Sequence, residues 1–173
     1  MSRQKIVPLV RPEIEQDYES IRRVLEAAFG RPDEAALVAS LRAEQAILLS
    51  LVAEVDDAVA GHILFSRMWI DQVDVSKPAA SLAPLAVLPE YQGCGIGTAL
   101  VTRALEVLRA ANEQVVFVLG EPSCYGRFGF SAVCTRLIET PFPPASFMAL
   151  ELVPGALKGP AGEARYANSF GLA

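Results

Sequence analysis

Residues 85–98 read Leu85-Ala-Val-Leu-Pro-Glu-Tyr-Gln-Gly-Cys-Gly-Ile-Gly-Thr98, and they predict the fold more sharply than any other stretch. An apolar run from Ala83 to Leu88 is typical of a strand, and the amphipathic stretch that continues to about Ala111 is typical of a helix. Three alternating glycines at the junction let backbone N–H groups converge, because no Cβ obstructs them. The start of a helix adds unpaired N–H groups and a partial positive charge. The sequence therefore predicts a site for phosphate groups at this turn.

Two known phosphate-binding loops differ from this pattern. A P-loop requires G-x-x-x-x-G-K-[ST], but a threonine follows Gly97 and no lysine lies between positions 77 and 158. A dinucleotide fingerprint requires G-x-G-x-x-G directly after a strand, whereas these glycines form G-x-G-x-G several residues beyond Pro89. Glu121, at the end of the next apolar run, could still imitate the acid that binds a ribose. A nucleotide-binding oxidoreductase therefore stays open as an alternative, and so does a plain tight turn.

Residues 92–97 match the pattern Q-x-x-G-x-G, and here the chain resembles the GNAT superfamily, the acyl-coenzyme A-dependent N-acetyltransferases. The signature of that superfamily, [QR]-x-x-G-x-[GA], stands between the fourth strand and the following helix. The segment Gly61-His-Ile-Leu-Phe65 and the C-terminal tail are similar to a subgroup of small predicted acetyltransferases. The resemblance covers about residues 6–133, and its specific part is residues 85–130.

The resemblance implies an α+β fold with a mixed, mostly antiparallel sheet that splays between strands 4 and 5 and is flanked by helices. It implies a single N-acetyltransferase domain over residues 1–173, with a core at about 6–138 and a C-terminal extension at about 139–173. It also implies acetyl-CoA as co-substrate, held by the backbone of the strand end and by N–H groups of the loop. A backbone N–H around Val87 would polarise the thioester carbonyl. The residues expected to bind the coenzyme are Leu85, Ala86, Val87, Gln92, Gly93, Cys94, Gly95, Ile96, Gly97 and Thr98.

A second motif, Cys124-Tyr-Gly-Arg-Phe-Gly-Phe130, is similar to the Y-x-x-x-G-F pattern of the same superfamily and implies that Tyr125 assists the leaving thiolate. Members of the subgroup often carry two consecutive tyrosines here, so Cys124 leaves the role to Tyr125 alone. Since a tyrosine of pKa about 10 is a weaker acid than a thiol of pKa about 8.5, we expect a hydrogen bond to the developing thiolate rather than full proton transfer. An ordinary helix end at Gly129 explains the same residues and stays open.

The amine that attacks the thioester must lose a proton, because an alkylamine of pKa about 10.4 is mostly protonated at neutral pH. Glu121, at the mouth of the expected splay, is the first candidate for the general base. Glu54 and His62 on the predicted hairpin are further candidates, and ordered water is another route. Cys94 and Cys124 are poor candidates for a nucleophile, because neither has a histidine in an obvious pairing position.

The composition limits the classes of protein. Of 173 residues 52% are hydrophobic, so we expect one domain with a sizeable core rather than disorder. No apolar run approaches the ~18 residues of a membrane span and no long signal core is seen, which predicts a cytoplasmic protein without a membrane partner. A net charge of −5 without a basic cluster disfavours nucleic acid. One histidine and three scattered cysteines without C-x-x-C predict no metal site.

The sequence thus predicts an enzyme that transfers an acetyl group from acetyl-CoA to a primary amine of a small molecule or a peptide. A catalytically silent coenzyme A-binding module is the main alternative, and a homodimer stays open. The residues do not distinguish a peptide N-terminus, a lysine, a polyamine or an antibiotic as acceptor.

Periodicity and turn residues also predict the order of elements. Helices are expected from Pro12 to the stop at Gly30, and then at 34–44, 96–111 and 123–128. A loop is expected at 76–80, and strands are expected at 6–10, 47–55, 58–65 (continued or paired by 68–75), 82–88, 115–119, 133–138 and 147–153.

Overall fold

The computed structural model describes residues 5–172, which contain eight strands and four α-helices. The helices are α1 (Tyr18–Phe29), α2 (Asp33–Ala43), α3 (Ile96–Ala110) and the single turn α4 (Pro122–Tyr125). The strands are β1 (Leu9–Pro12), β2 (Ile47–Val55), β3 (Ala58–Asp71), β4 (Ser76–Val87), β5 (Val115–Leu119), β6 (Ile138–Glu139), β7 (Phe147–Glu151) and β8 (Gly162–Arg165). Short 3₁₀ turns lie at Glu15–Asp17, Pro89–Tyr91, Gly126–Phe128, Val133–Thr135 and Asn168–Phe170.

The strands form one mixed sheet in the order β1-β2-β3-β4-β5-β7. β8 pairs with β3 beyond the start of β2 and also pairs with β6. Neighbouring strands are antiparallel except for the parallel pairs β4–β5 and β6–β8. The predicted α+β fold with a mostly antiparallel sheet is therefore confirmed. A doubly wound parallel sheet, which the dinucleotide alternative requires, is excluded.

Helices cover both faces of the sheet. Leu51 and Ala53 of β2 belong to the same core cluster as α3, whereas Val52 between them belongs to the cluster of α1 and α2. Because successive strand residues point to opposite faces, α3 lies on one face and the α1–α2 pair on the other. Apolar residues at helical spacing on α3 are buried at Ile96, Leu100, Ala104 and Leu108, whereas Ala111, just beyond the helix, is exposed.

The predicted start of the first helix is wrong. Pro12 is the last residue of β1, and α1 begins at Tyr18 after a 3₁₀ turn. Apolar residues recur at helical spacing from Ile14 to Phe29, which predicts one buried face. That face is buried in the middle of α1, at Ile21 for example, but Ile14 precedes the helix and is 52% exposed. The first strand is also shifted from 6–10 to Leu9–Pro12, because Ile6 donates its N–H to Cys94 O (2.9 Å) and runs along the glycine loop instead.

Two further predictions in the sheet are wrong, and one strand was not predicted. The predicted loop 76–80 is the first half of β4, since it pairs with the long second half of β3 from Asp71 to Arg67. The predicted strand 133–138 is a 3₁₀ turn followed by the two residues of β6, and the Thr135 hydroxyl donates to Phe147 O (3.0 Å) there. β8 was not predicted, because its four residues extend the sheet only where β3 outlasts β2.

Candidate active site

β4 and β5 separate in the middle of the sheet. Their parallel pairing consists of Ala80–Leu82 against Val116–Val118. Beyond it, β4 contains one more residue than β3 between Leu82 and Leu85, while β5 stays paired with β7 as far as Leu119. The extra residue bends β4 away from β5. A cleft with one edge of backbone therefore opens between the two strands, as the sequence predicted.

The cleft edge of β4 presents backbone polar groups at alternate residues. Leu88 donates its N–H to Ala60 O on β3 at 2.9 Å, and Ala86 lies opposite His62 of the same strand. Because the polar groups of successive strand residues point to opposite sides, those of Ala86 point to β3, and those of Leu85 and Val87 point into the cleft. No strand within residues 5–172 pairs with Leu85–Val87 on that side.

The glycine loop, residues 92–98, lies where β4 ends and α3 begins. Gly93 and Gly95 have φ values of +78° and +95°, which other residues adopt only with strain. Gly95 is the N-cap of α3, and the first bond along the helix runs from Ala99 N to Gly95 O at 3.0 Å. The N–H groups of residues 96–98 therefore lack acceptors inside the helix and point to its N-terminal end. With the positive end of the helix dipole, they fit a diphosphate.

Side chains of the loop hold it against the strand rather than contribute charge. The Gln92 side chain donates from Nε2 to Val87 O at 3.0 Å, across the turn. Cys94 is buried, and its Sγ lies 3.9 Å from Gln92 O. Since its thiol is enclosed, Cys94 is not placed to act as a nucleophile.

Tyr125 forms the opposite lip of the cleft, beyond the end of β5. Its half-buried ring packs on the same core cluster as Val87 and meets Phe130 edge-on at a centroid distance of 5.8 Å. The ring also lies against Gly120, where an added Cβ would stand 2.6 Å from Tyr125 Cε2. Gly120 is fixed in turn, since its N–H donates to Ser146 O at 2.9 Å. The requirement for a glycine at this position was missed in the sequence, where only its place beside a turn is visible.

Burial raises the pKa of Tyr125 above its ordinary value, and the neighbouring Cys124 adds to the increase. The phenol therefore stays protonated at neutral pH and is a hydrogen-bond donor, not an acid of matched strength.

Glu121 is exposed at the same end of β5, where it is the N-cap residue of α4. Its carbonyl accepts from Cys124 N (2.9 Å) and Tyr125 N (3.2 Å), which ties the position of Glu121 to that of Tyr125. Arg127 on the following turn is exposed and lies 4.8 Å from the centre of the Phe128 ring.

His62 lies in a buried polar network that the sequence did not reveal. Its Nε2 is 2.8 Å from Ser50 Oγ and 3.6 Å from Glu13 Oε2, and Arg42 also donates to Glu13, at 3.0 Å. Burial lowers the pKa of His62 below its ordinary value, although Glu13 partly offsets this. Burial also opposes ionisation of Glu13, but hydrogen bonds from His62, Ser50 and Arg42 outweigh it and lower the pKa of Glu13 to about 2. The ring of His62 has no exposed surface.

Glu54 is ion-paired and lies on β2. Arg11 Nε donates to its carboxylate at 3.0 Å, and the same guanidinium binds Asp17 at 2.7 Å.

Within residues 5–172, no group of three or more His, Cys, Asp and Glu side chains could hold a metal ion. Across the same residues no helix is both long and apolar enough to cross a bilayer.

Comparison with known proteins assigns this arrangement to a family. The sequence profile of the acetyltransferase (GNAT) family matches residues 13–130. Among similar sequences, the uncharacterized N-acetyltransferase YhbS of Escherichia coli is 33% identical over 94% of this chain and 98% of its own length. The uncharacterized N-acetyltransferase YjhQ of the same species is 45% identical over 66% of this chain, and the match spans 64% of that protein's length.

Two solved structures resemble the whole chain. The structure of Escherichia coli YhbS in complex with CoA superposes with a TM-score of 0.87 at 31% identity, over 99% of this chain and 96% of that one. A GNAT family acetyltransferase from Brucella melitensis in complex with acetyl-CoA superposes with a TM-score of 0.79 at 37% identity, over 95% and 98% of the two chains.

Proposed function

The chain belongs to the acetyltransferase (GNAT) family, and we propose that it transfers an acetyl group from acetyl-CoA to a primary amine of a small molecule or a peptide. One observation carries the proposal. The backbone edge of β4 at Leu85–Val87 has no strand beside it, and it leads through the glycine loop to the N-terminus of α3. The two similar proteins that bind CoA or acetyl-CoA support the choice of co-substrate.

The coenzyme binds this edge and this helix end together. The N–H and C=O of Leu85 and the N–H of Val87 face the pantetheine arm, as a strand edge faces a further strand, while Val87 O accepts from Gln92 Nε2. The N–H groups of Gly93 and of residues 95–98 hold the diphosphate, with the charge complement supplied by the dipole of α3. Those of Gln92 and Cys94 already donate within the turn, to Pro89 O (3.4 Å) and Tyr91 O (3.3 Å). Ala86 lies between Leu85 and Val87 and directs its own polar groups to β3, so it does not pair with the coenzyme.

The amine nitrogen attacks the carbonyl carbon of the thioester. An N–C bond forms, and the C–S bond breaks to release the thiolate of CoA. An N–H of Leu85 or Val87 donates to the thioester carbonyl oxygen and stabilises the negative charge that develops there. Tyr125 donates a hydrogen bond from its phenolic O–H to the sulfur. Since its pKa is raised, complete transfer to a thiolate of pKa about 8.5 is uphill, and the hydrogen bond is the main effect.

Glu121 is the proposed acceptor of the amine proton. Glu121 is exposed beyond the end of β5, and its backbone carbonyl accepts from the N–H of Tyr125. His62 is enclosed and its pKa is lowered, whereas Glu54 is occupied by Arg11. Of the three candidates from the sequence, Glu121 is therefore the exposed one, and it stands next to the turn that carries Tyr125.

A thiol-release screen of wild-type protein with acetyl-CoA and a library of amines tests the proposal. Amine-dependent release of CoA, with acetylation of the amine detected by mass spectrometry, is expected for at least one class of acceptor. Tight binding of acetyl-CoA without turnover of any amine would contradict the transferase and favour the silent coenzyme A-binding module.

A further inference from the structure

We infer that Lys5 binds a phosphate group of the coenzyme's nucleotide end, in a cavity between residues 5–8 and the exposed face of α3. The inference rests on the proposed placement of the coenzyme diphosphate at residues 92–98. It adds a cationic side chain beside the backbone amides of the glycine loop.

The segment before β1 is fixed to the glycine loop. Ile6 donates its N–H to Cys94 O at 2.9 Å. The side chain of Lys5 then lies across Gly95, since its Cγ and Cε stand 3.6 Å and 3.9 Å from the position that a Cβ of Gly95 would occupy. Gly95 is the N-cap of α3, so the ammonium group is brought beside the first turn of the helix.

A cavity of about 610 Å³ lies at this place, which is within the usual size of a small-molecule site, about 300–1,000 Å³. Its lining includes Lys5, Gly93, Thr98, Thr102 and Arg103. Two cations, two hydroxyl groups, the carboxylate of Glu106 and the loop backbone therefore surround one space along the first half of α3. This set of donors suits a phosphate group, which offers several acceptor oxygens.

The charges at this cavity are available to a ligand. Lys5 is one of three lysines in a chain of net charge −5, and no ion pair joins it to a carboxylate within residues 5–172. Arg103 pairs with Glu106 at 3.1 Å, but both side chains are 56% exposed, and such exposed pairs contribute little. Lys5 is therefore the cation of this cavity with no carboxylate partner among the described residues, whereas Arg103 is shared with Glu106.

Calorimetric titration of CoA into wild type, Lys5→Met and Lys5→Arg tests the inference without requiring catalysis. Methionine keeps the apolar stem that packs on Gly95 and removes the charge, whereas arginine keeps the charge. We expect Lys5→Met to raise the dissociation constant about 10-fold, as for a lost charged hydrogen bond, and Lys5→Arg to stay within about 3-fold of wild type. The salt dependence of binding should also be shallower in Lys5→Met.

Lys158→Met is the matched control, because it removes the same charge from an exposed lysine in the C-terminal segment, and it should bind CoA as wild type does. A parallel titration with 3′-dephospho-CoA identifies the phosphate group. An equal loss for both ligands in Lys5→Met assigns Lys5 to the diphosphate, and a loss confined to CoA assigns it to the 3′-phosphate.

Unchanged binding of CoA by Lys5→Met would overturn the inference, and so would equal weakening in Lys5→Arg, since charge would then not be the cause. Failure of wild-type protein to bind CoA at all would instead overturn the proposed function, on which the inference depends.

Discussion

The cleft has two walls: the β4 wall is formed by Leu85–Val87, and the β5 wall by residues 119–125 at and beyond the end of β5. The two walls present different kinds of groups to the cleft. The β4 wall and the glycine loop offer backbone groups, positioned by strand pairing to β3 and by the helix end of α3. The β5 wall offers side chains, and its tyrosine is held by contact with Gly120 and Phe130. Backbone groups suit a coenzyme whose structure is constant. A side chain with a donor hydrogen suits the reacting sulfur, so binding and chemistry should be separable by mutation.

The largest effect that separates the two walls is expected for Tyr125→Phe. The ring and its packing on Gly120 remain, but the donor to the leaving sulfur is lost. We expect kcat to fall about 100-fold, with the dissociation constant of CoA unchanged. Steady-state kinetics and calorimetry measure the two quantities. An unchanged kcat would show that the β5 wall contributes no proton or hydrogen bond to the reaction.

Gly95→Ala tests the β4 wall. Any side chain at φ +95° is strained, so the loop should relax from the conformation that aims its N–H groups, and the dissociation constant of CoA should rise about 10-fold. Gly97→Ala is the matched control, because a Cβ there would make only ordinary contact with Val87, at 3.8 Å. Equal weakening in both variants would show that backbone conformation at Gly95 is not what matters.

Gly120→Ala sharpens the account of the β5 wall. The added methyl group would overlap the Tyr125 ring and displace its hydroxyl, so we expect kcat to fall about 10-fold, as expected for a misplaced catalytic group. The same change in the Tyr125→Phe background should have almost no further effect on kcat. Gly126→Ala, where nothing lies within 4 Å of the added group, is the control. Additive losses in the double variant would mean that Gly120 acts on the fold and not through Tyr125.

The smallest effect concerns stability outside the cleft. Because the pKa of buried His62 is lowered, the unfolded chain takes up a proton there as the pH falls below about 6.5, and the folded chain does not. The free energy of unfolding should therefore decline from pH 7 to pH 5. Glu13, with a pKa of about 2, adds a loss only below about pH 4.5. Thermal unfolding of His62→Gln should show a flatter decline from pH 7 to pH 5, and an unchanged slope would contradict this role.

The sequence predicted what local backbone chemistry requires. Glycines at 93 and 95 adopt the positive φ values that make the loop, and the apolar periodicity after them marks the buried face of α3. The order of elements from β2 to β5 is also as expected, because each has a clear period and clear turn residues.

Features set by distant parts of the chain could not be predicted in this way. Residues 76–80 read Ser-Lys-Pro-Ala-Ala, with a proline typical of a loop, yet they pair with β3 because that strand is 14 residues long. The contact between Gly120 and Tyr125, the burial of His62 with Glu13, and the path of Lys5 over Gly95 all join segments whose sequences show no mutual signal. They depend on the assembled sheet.

A crystal structure with acetyl-CoA tests the central claim most directly. We expect diphosphate oxygens at about 2.7–3.2 Å from backbone nitrogens of residues 92–98, and pantetheine amides paired with Leu85 and Val87 but not with Ala86. A coenzyme bound elsewhere, with the cleft edge of β4 and the N-terminus of α3 free of it, would contradict the account.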